Sequence, residues 1–459
     1  MILNLLIAVA VLGIGYFLSL VIWPKINTSW LSELCRWVVI SLPFERIPSV
    51  QLGGGNVRIS QVLVLIGLWF LLILFLKKDK LLLAKKFHQN TFILVLFVIV
   101  SATSWFNIED FNRFLNTYIA TVITFAAFFL IANFTENILE RIKELSVTMF
   151  FVGLFSVYQF VGDLAGLPIL ATGLREQYTK VVFGIPRIHG TALEPLYFAG
   201  MYFVPIFASL VFIFTKKHFF KTKLRFTNIY LLFFFLLIFF LTLSKGAYPS
   251  LVAALGIFVV YGFKKLKMRS FLETISSFGF MVFILISFVL LYSDYIFSIV
   301  NRYWEHILGT LNFTETTSVE RLGFLTMAFK LLENNFLWGI GSGQFGVLAK
   351  AISPLKLPGT SFLIVNNVYV EVWLEFGIFA ALIFIWFILW PVFKQARKLI
   401  KEKYWHTDNL LAASILVPSL LAYYIQWLFF SPIFIMPIFI LIGLLARLDL
   451  EEVDLKSKT

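Results

Sequence analysis

Long apolar segments constrain this chain more than any other feature of its sequence. A helix that crosses a bilayer needs about 20 mostly apolar residues, and twelve segments meet that requirement. Hydrophobic residues make up 60% of the 459 residues, and charged residues only 14%. A soluble protein of this composition would expose large apolar patches and aggregate, which excludes a soluble enzyme, a disordered chain and a nucleic-acid-binding protein. The predicted spans are 1–23, 59–76, 90–107, 113–133, 146–163, 195–215, 228–244, 246–263, 274–293, 367–393, 411–429 and 432–446.

We therefore predict an all-α, polytopic integral membrane protein with about 12 transmembrane helices. The first segment is too long for the apolar part of a signal peptide and lacks a cleavage site of small residues, so we interpret it as a span. The chain then forms one membrane domain in four parts. These are helices 1–5 (1–164), an outer loop with helices 6–9 (165–293), a large outer loop (294–366), and helices 10–12 with a cytoplasmic tail (367–459).

The distribution of positive charge predicts the topology. Cytoplasmic loops of membrane proteins are enriched in Lys and Arg. With the N-terminus placed in the cytoplasm, 24 of the 38 Lys and Arg residues fall in cytoplasmic segments, and every dense cluster is among them. We therefore place both termini in the cytoplasm. The net charge of +13 then reflects mainly the orientation of the chain in the membrane. The 14 cations on the outer side become candidates for specific roles.

Three predicted outer loops are long, namely 24–58, 164–194 and 294–366. Loops of such length are usually functional. In the third, Thr317–Glu320 has the pattern of a helix-capping box, and apolar residues follow it at helical spacing up to Leu332. Glycines at 339, 341 and 343 mark the end of that helix. We predict an amphipathic helix on the outer membrane surface, with Arg321 in its first turn.

Three outer cations lie beside predicted helix ends, namely Arg187, Lys245 and Arg321. Together they could bind a phosphate-bearing lipid headgroup, because guanidinium donates two parallel hydrogen bonds to phosphate oxygens. The alternative is that they are interfacial residues whose charged ends extend to water. The sequence alone leaves both interpretations open.

Glu194 and Glu371 are the acidic candidates for a catalytic role. Glu194 precedes a span, where the helix dipole favours an anion, and its alternative role is a helix cap. Glu371 lies about one turn inside a span, where a carboxylate usually faces a cavity or a partner, and its alternative role is an ion pair. Asn366 and Asn367 could hydrogen-bond a sugar or cap the following helix.

Histidine, cysteine and glycine patterns offer little further chemistry. His189 could act as a base near neutral pH, although a single loop histidine is more often incidental. The chain has one cysteine, Cys35, and no histidine or acidic cluster with metal-ligand spacing, so we predict no metal site. It also lacks a glycine-rich phosphate loop and a dinucleotide-binding fingerprint. We predict no cofactor.

Four segments in order resemble bacterial O-antigen ligases and Wzy-type polysaccharide polymerases, which are polytopic lipid-linked glycosyltransferases. The resemblance covers about residues 185–390. The resemblance rests on an Arg-x-x-Gly and Glu-Pro stretch, a Ser-Lys-Gly-Ala stretch, an outer-loop arginine followed by Gly-x-Gly-x-Gly-x-Phe, and an Asn-Asn-x-Tyr-x-Glu segment. These segments are Arg187–Pro195, Leu243–Ala247, Glu320–Leu322 with Gly339–Phe345, and Asn366–Ile378.

The resemblance implies transfer of a sugar chain from undecaprenyl diphosphate to an acceptor hydroxyl, without metal or sugar nucleotide. It implies that Arg321 and Lys245 hold the diphosphate and that Arg187 binds diphosphate or glycan. Departure of undecaprenyl diphosphate builds negative charge, which prepositioned cations stabilise. The implied location is the bacterial cytoplasmic membrane, with the site facing the exterior. The implied partners are undecaprenyl-diphosphate-linked oligosaccharide, membrane lipids, a flippase and a chain-length regulator, and no nucleic acid.

Two positions depart from the family pattern. Lys245 stands where arginine is usual, which removes bidentate geometry. Asn366 stands where ligases have a histidine that is thought to activate the acceptor, which favours a polymerase over a ligase. If a base is needed, Glu194 and Glu371 are the substitutes, followed by His189. The other candidate functions are an O-antigen ligase, a flippase or transporter, and a membrane scaffold. Transporters usually contain two matching halves, which this sequence lacks.

Overall fold

The computed structural model describes residues 28–47, 49–52, 55–77, 87–180, 184–215, 217–219, 226–262, 316–352, 363–402, 407–431 and 435–456. This part of the chain is mostly helical, as predicted. Its helices are α1 (Thr28–Ile40), α2 (Ile59–Leu76), α3 (Gln89–Ser101), α4 (Phe111–Phe134), α5 (Ile138–Leu164), α6 (Ile169–Thr172), α7 (Pro195–Met201), α8 (Phe203–Thr215), α9 (Phe226–Leu241), α10 (Ala247–Gly262), α11 (Thr316–Asn335), α12 (Phe345–Ile352), α13 (Val368–Lys401), α14 (Asp408–Gln426) and α15 (Met436–Lys456). Short 3₁₀ turns cover Ala102–Asn107 and Glu176–Tyr178.

Ten of the twelve predicted spans coincide with described helices. Among the residues that the structure describes, seven helical segments are long and apolar enough to cross a membrane, namely Ile59–Leu76, Gln89–Asn107, Phe111–Phe134, Ile138–Leu164, Pro195–Thr215, Val368–Lys401 and Asp408–Gln426. Helices α9 and α10 are shorter and overlap the predicted spans 228–244 and 246–263, and α15 covers the predicted span 432–446 from residue 436 onwards. The predicted spans 1–23 and 274–293 lie outside the described residues. The number of twelve spans and the location of the termini therefore stay predictions.

The helices pack as a bundle around the α7–α8 segment. Of the most apolar part of Pro195–Thr215, 94% is buried, whereas the corresponding figure for α2 is 28%. Helix α14 packs against both α8 and α10, and α15 packs along α4. Peripheral helices expose apolar side chains, since Phe92, Ile99 and Val252 are each more than half exposed. Such outward-facing apolar surfaces are expected where lipid is the solvent.

Polar contacts gather at the two ends of the bundle. At one end the buried His88 ring contacts Asp449 at 3.3 Å, and its backbone N–H donates to the Asn133 side chain at 2.8 Å. At the other end the Thr191 hydroxyl donates to the Pro43 carbonyl at 2.5 Å. The predicted outer loops meet at this second end, which we call the outer end. The first we call the inner end.

Helix α1 corrects the interpretation of 24–58 as an outer loop. The ring centroids of Trp30 and Phe70 are 6.1 Å apart, and the Cys35 thiol donates to the Leu130 carbonyl at 3.5 Å. Phe70 and Leu130 both belong to the halves of their helices nearer the inner end. Helix α1 therefore runs beside α2 within the bundle, from the inner end towards the outer end.

Charged residues in α1 hid this helix from a hydropathy argument. Arg36 contacts Glu33 at 3.0 Å and Glu144 of α5 at 2.8 Å. Charged residues inside a membrane protein are expensive unless they pair with one another. Here the partner lies 108 positions further along the chain, so the pairing that makes α1 compatible with the bundle is invisible in its local sequence.

A short hairpin follows α1 and departs from the all-α prediction. Strands β1 (Ser49–Leu52) and β2 (Gly55–Arg58) pair antiparallel, with Ser49 opposite Arg58 and Leu52 opposite Gly55. The Arg58 backbone N–H donates to the Gln61 side chain at 3.0 Å. The hairpin thus delivers Arg58 to the first turn of α2, at the outer end of the bundle.

The helix predicted in the large loop is present as α11, which begins one residue before the predicted capping box. Ala328 and Leu332 are buried in a small apolar cluster with Phe345 and Leu374. Leu322 and Phe329 are 43% and 46% exposed. This helix therefore has one packed face and one exposed apolar face. Its location on the membrane surface stays a prediction.

We expect cysteine labelling to reproduce these two ends. In a Cys35→Ala background, a membrane-impermeant maleimide should label Lys330→Cys in intact cells. It should label Glu140→Cys and Ser29→Cys only after permeabilisation, because α1 begins at the inner end. Labelling of Ser29→Cys in intact cells at the rate of Lys330→Cys would contradict the placement of α1.

Candidate active site

A tyrosine ring separates two arginines at the outer end. The guanidinium carbons of Arg175 and Arg187 each lie 5.7 Å from the centroid of the Tyr178 ring. Arg175 donates to the Leu193 carbonyl at 3.0 Å, and Arg187 donates to the Thr242 carbonyl at 3.4 Å. Cation–π contacts and carbonyl acceptors hold both side chains in place. Arg187, which the sequence predicts as a binding residue, is therefore positioned by contacts within the protein.

Glu194 lies among these cations. It occupies the N-cap position of α7, followed by Pro195, but its side chain makes no capping hydrogen bond. Burial raises the pKa of Glu194, whereas the positive charges of Arg175, Arg187 and Arg321 act in the opposite direction. Two predicted residues, Glu194 and Arg321, thus come together with Arg187 although Arg321 is far along the chain. A half-buried carboxyl group with a raised pKa can exchange a proton closer to neutral pH than an exposed one.

Residues from the first predicted outer loop complete this cluster. Glu45 is buried, lies 3.6 Å from Arg58, and accepts a hydrogen bond from the Leu193 N–H at 3.4 Å. The Arg46 guanidinium donates to the Gly173 carbonyl. Burial lowers the pKa of Arg46, and the nearby charge of Arg175 lowers it further. We define the arginine cluster as Arg46, Arg58, Arg175, Arg187 and Arg321 with Glu45 and Glu194.

The arginine cluster carries excess positive charge in a partly buried place. It contains five guanidinium groups and two carboxyl groups. Burial lowers the pKa of Arg187, and Arg321 adds to that effect. A guanidinium group still remains charged in proteins. The cluster therefore has the excess positive charge that an anion would offset, and its planar donors suit phosphate oxygens.

Lys245 borders the cluster through a tight turn between α9 and α10. Residues 242–246 form this turn, in which Leu243 has a φ of 47° and the Ala247 N–H donates to the Ser244 carbonyl at 3.1 Å. The Thr242 carbonyl of the same turn accepts the hydrogen bond from Arg187. Lys245 is half-buried. The turn thus ties the predicted Lys245 to the predicted Arg187.

A second group of ionisable residues forms what we call the carboxylate pocket. Glu371 and Glu375 lie one turn apart on α13, only 5% and 4% exposed, and Arg113 of α4 interacts electrostatically with both. They line a cavity of about 60 Å³. The other residues that line it are Thr117, Gly343, Phe345, Gly346, Leu363, Ile364 and Val365.

The segment from Gly339 to Gly343, which we call the glycine strap, builds one wall of this pocket. Its three glycines have φ values of 74°, 94° and 71°. L-residues rarely adopt this region, whereas glycine adopts it freely. Arg113 donates to the Gly343 carbonyl at 2.5 Å, and Glu375 accepts the backbone N–H groups of Gly343 and Phe345. The strap therefore joins α4 to α13.

The strap also repairs a break in α13. Gly377 has non-helical φ and ψ values of 82° and 169°. The Ile340 and Gly341 N–H groups donate to the Leu374 and Glu375 carbonyls, each at 2.9 Å, and the Ile378 N–H donates to the Phe336 carbonyl at 3.1 Å. An unpaired backbone group inside a membrane costs several kcal/mol. The glycine-rich motif, predicted as a helix terminator, thus has a second role here.

Tyr197 connects the surroundings of the arginine cluster with those of Glu371. It is buried in α7, and its hydroxyl donates to the Ser431 carbonyl at 2.8 Å. It is within electrostatic range of Glu45, Glu194 and Glu371. The two groups of ionisable residues are therefore neighbours in the folded chain.

The remaining predicted site residues occupy more structural positions. Asn367 is the N-cap of α13, and its side chain accepts the Val370 N–H at 3.1 Å. Asn366 has a left-handed φ of 59° and lies just outside that cap. His189 is fully buried, accepts the Arg175 N–H at 3.3 Å and contacts the Tyr178 ring. Burial, with a smaller contribution from the charge of Arg46, lowers the pKa of His189 to about 4.

Several functional candidates were missed from sequence. Arg46, Arg58 and Arg175 are outer cations, so the charge rule flags them, but no motif distinguishes them from other residues. Arg113 is also an outer cation, and Glu375 lies in the family-like segment Asn366–Ile378. Neither signal links the two residues, because the strap that brings them together lies about 230 positions from Arg113. Only the folded arrangement identifies the carboxylate pocket.

Comparison with known proteins supports the motif-based interpretation. A model of the O-antigen ligase family matches residues 230–385, about a third of the chain. This segment contains Lys245, Arg321, the glycine strap and both glutamates of the carboxylate pocket. The match confirms the resemblance to O-antigen ligases. A comparison with curated proteins gives no match.

We expect Gly377→Ala to destabilise the protein. A Cβ at this position would lie 2.1 Å from the Leu337 carbonyl oxygen, and the backbone conformation alone costs a non-glycine residue about 1–3 kcal/mol. Thermal unfolding of the detergent-purified protein should show a lower midpoint. Gly256→Ala in α10 is the matched control, because a Cβ there meets open space. Equal midpoints for the two variants would contradict the interlock between strap and helix.

Proposed function

We propose, from the O-antigen ligase family match and the arginine cluster, that this chain is a polysaccharide polymerase of the bacterial cytoplasmic membrane. It transfers a glycan from an undecaprenyl-diphosphate donor to a hydroxyl of a lipid-linked acceptor, without a metal. The single observation that carries the proposal is the convergence of Arg175, Arg187 and Arg321 around Glu194 at the outer end of the bundle. The reaction accordingly takes place on the exterior face.

In the proposed reaction the acceptor hydroxyl attacks the anomeric carbon of the donor sugar. The bond between that carbon and the diphosphate oxygen breaks, and undecaprenyl diphosphate leaves with the electron pair. The arginine cluster stabilises the negative charge that develops on this leaving group. The leaving group is already a stable diphosphate, so the protein supplies orientation, electrostatic stabilisation and a destination for one proton.

Glu194 is the residue that we propose receives the hydroxyl proton. It is half-buried, borders the cations that would hold the diphosphate, and has a raised pKa because of burial. His189 is less suited, since it is fully buried and a base with a pKa of about 4 is weak. Glu371 faces a cavity of about 60 Å³, which is too small to enclose a sugar ring.

Lys245 and Asn366 favour the polymerase over the ligase. A lysine in the turn beside Arg187 offers one charge in place of a bidentate fork, which suits a contact to diphosphate or to a flexible glycan. Asn366 cannot accept a proton at ordinary pH, so the base proposed for ligases has no counterpart at that position. An O-antigen ligase remains the second candidate, because the matched segment carries the name of that family. The flippase and chain-length regulator are proposed partners by resemblance.

We expect Arg321→Ala to reduce chain extension strongly without loss of the protein from the membrane. A deletion strain should make surface glycans with single repeat units, and wild-type protein should restore long chains. Removing one charge-assisted contact costs about 1.5–3 kcal/mol, which corresponds to a decrease in rate of roughly 10- to 150-fold. Gel analysis of surface glycans and immunoblots of membranes measure both properties.

Lys330→Ala is the matched control, since Lys330 is an exposed cation on the same helix as Arg321. It should restore long chains fully. Long polymer in the Arg321→Ala strain would contradict the role of the arginine cluster. A deletion strain with bare acceptor and accumulated lipid-linked polymer would identify a ligase, and repeat units confined to the cytoplasmic leaflet would identify a flippase.

We expect the pH dependence of the transfer rate to follow the deprotonation of Glu194. A base must be deprotonated, so activity should fall as the pH decreases through the raised pKa of this carboxyl group, at a higher pH than for an ordinary glutamate. Glu194→Gln should lower kcat by about 10²- to 10⁴-fold and remove this acidic limb. Glu176→Gln, at an exposed position of the same loop, should leave both unchanged. An unaltered acidic limb in Glu194→Gln would exclude it as the base.

A further inference from the structure

Two buried polar groups lie beside each other where Glu371 lines the carboxylate pocket. Oxygen Oε2 of Glu371 and the hydroxyl of Ser431 are inaccessible to solvent, and neither makes a hydrogen bond of good geometry with the described residues. The Ser431 hydroxyl is a side-chain neighbour of the Glu371 carboxyl group, to which it makes at best a weak hydrogen bond. A buried carboxylate oxygen or hydroxyl without a well-formed hydrogen bond destabilises a folded protein. Such a pair is expected where a ligand supplies the missing hydrogen bonds.

The surrounding residues define the chemistry of that ligand. Glu375 accepts hydrogen bonds from backbone N–H groups of the glycine strap, and these bonds stabilise the pocket. Glu371 is therefore the carboxyl group that can accept a hydrogen bond from a ligand. Ser431 can donate a hydrogen bond or accept one. Arg113 lines the same cavity and supplies positive charge to it. A group that donates to Glu371 and accepts from Ser431 at once has the properties of an alcohol.

The size of the cavity limits the ligand further. A volume of about 60 Å³ exceeds the roughly 30 Å³ that one water molecule occupies in the liquid. It admits a hydroxyl group with its carbon, but it cannot enclose a sugar ring. The ring itself would have to remain outside the pocket.

The pocket lies in the right relation to the proposed donor site. The Tyr197 hydroxyl donates to the Ser431 carbonyl, and Tyr197 lies within electrostatic range of both Glu194 and Glu371, so a sugar beside Tyr197 can place one hydroxyl at Glu371 while another faces Glu194. Resting on the proposed function, we propose that the carboxylate pocket is a recognition site for one non-reacting hydroxyl of the acceptor sugar. Glu371 and Ser431 bind that hydroxyl, and Arg113 and the glycine strap position Glu371.

The test is a cycle between protein variants and sugar analogues. Equilibrium binding of the lipid-linked repeat unit to purified protein should weaken about 10- to 100-fold for one monodeoxy analogue, since hydrogen bonds to charged groups are the stronger ones. In Glu371→Gln and in Ser431→Ala the penalty for that same analogue should fall below about threefold. Glu333→Gln, at an exposed position of α11, should retain the full penalty.

Binding and transfer are measured separately, so the two proposals fail in different ways. A protein that binds with this coupling but transfers no glycan would overturn the proposed function and keep the pocket. A protein that transfers glycan while every analogue penalty is unchanged in Glu371→Gln would overturn the pocket. If Glu371→Gln instead lowered kcat and flattened the acidic limb without affecting acceptor binding, Glu371 would be a base, which also overturns its proposed binding role.

Discussion

The interlock between the glycine strap and the broken helix α13 determines the geometry of the site. Gly377 interrupts a membrane-spanning helix, and inside a bilayer no water can satisfy the freed backbone groups. The strap supplies those hydrogen bonds from Ile340 and Gly341. In doing so it brings the start of α4 against α13, because Arg113 donates to the Gly343 carbonyl. The contacts that satisfy the backbone hydrogen bonds at the break therefore also fix the positions of the two buried glutamates.

Hydropathy and charge predict most of this fold, and their failure at α1 is instructive. Apolar segments such as Phe111–Phe134 must be helical in lipid, so their positions follow from composition. Helix α1 carries Glu33 and Arg36, and a local window counts these residues as polar. In the folded chain Arg36 pairs with Glu144 of α5. A rule that scores each segment alone cannot include a partner that another helix provides.

The same distinction separates the predictable part of the site from the rest. Arg187 and Arg321 are recognisable because positive charge is disfavoured on the outer side and because each belongs to a motif. Arg175 obeys the same rule without a motif, and the Tyr178 ring that positions it has no signature of its own. Arg113 stands at the start of a helix, as many arginines do, and its local sequence does not reveal its contact with the strap. Local patterns thus identify charges, whereas their pairing depends on tertiary contacts.

The charge balance of the arginine cluster explains why these long-range contacts matter. Five guanidinium groups and two carboxyl groups are gathered where burial lowers the pKa of Arg187 and raises that of Glu194. Both shifts indicate that charge is costly there, and packing alone would not favour such an excess. A dianionic diphosphate would offset the excess, and Glu194 would then lie at the border between that anion and the incoming hydroxyl. Cation–π contacts and carbonyl acceptors already hold the arginines in place, so little reorganisation would be needed when the leaving group departs.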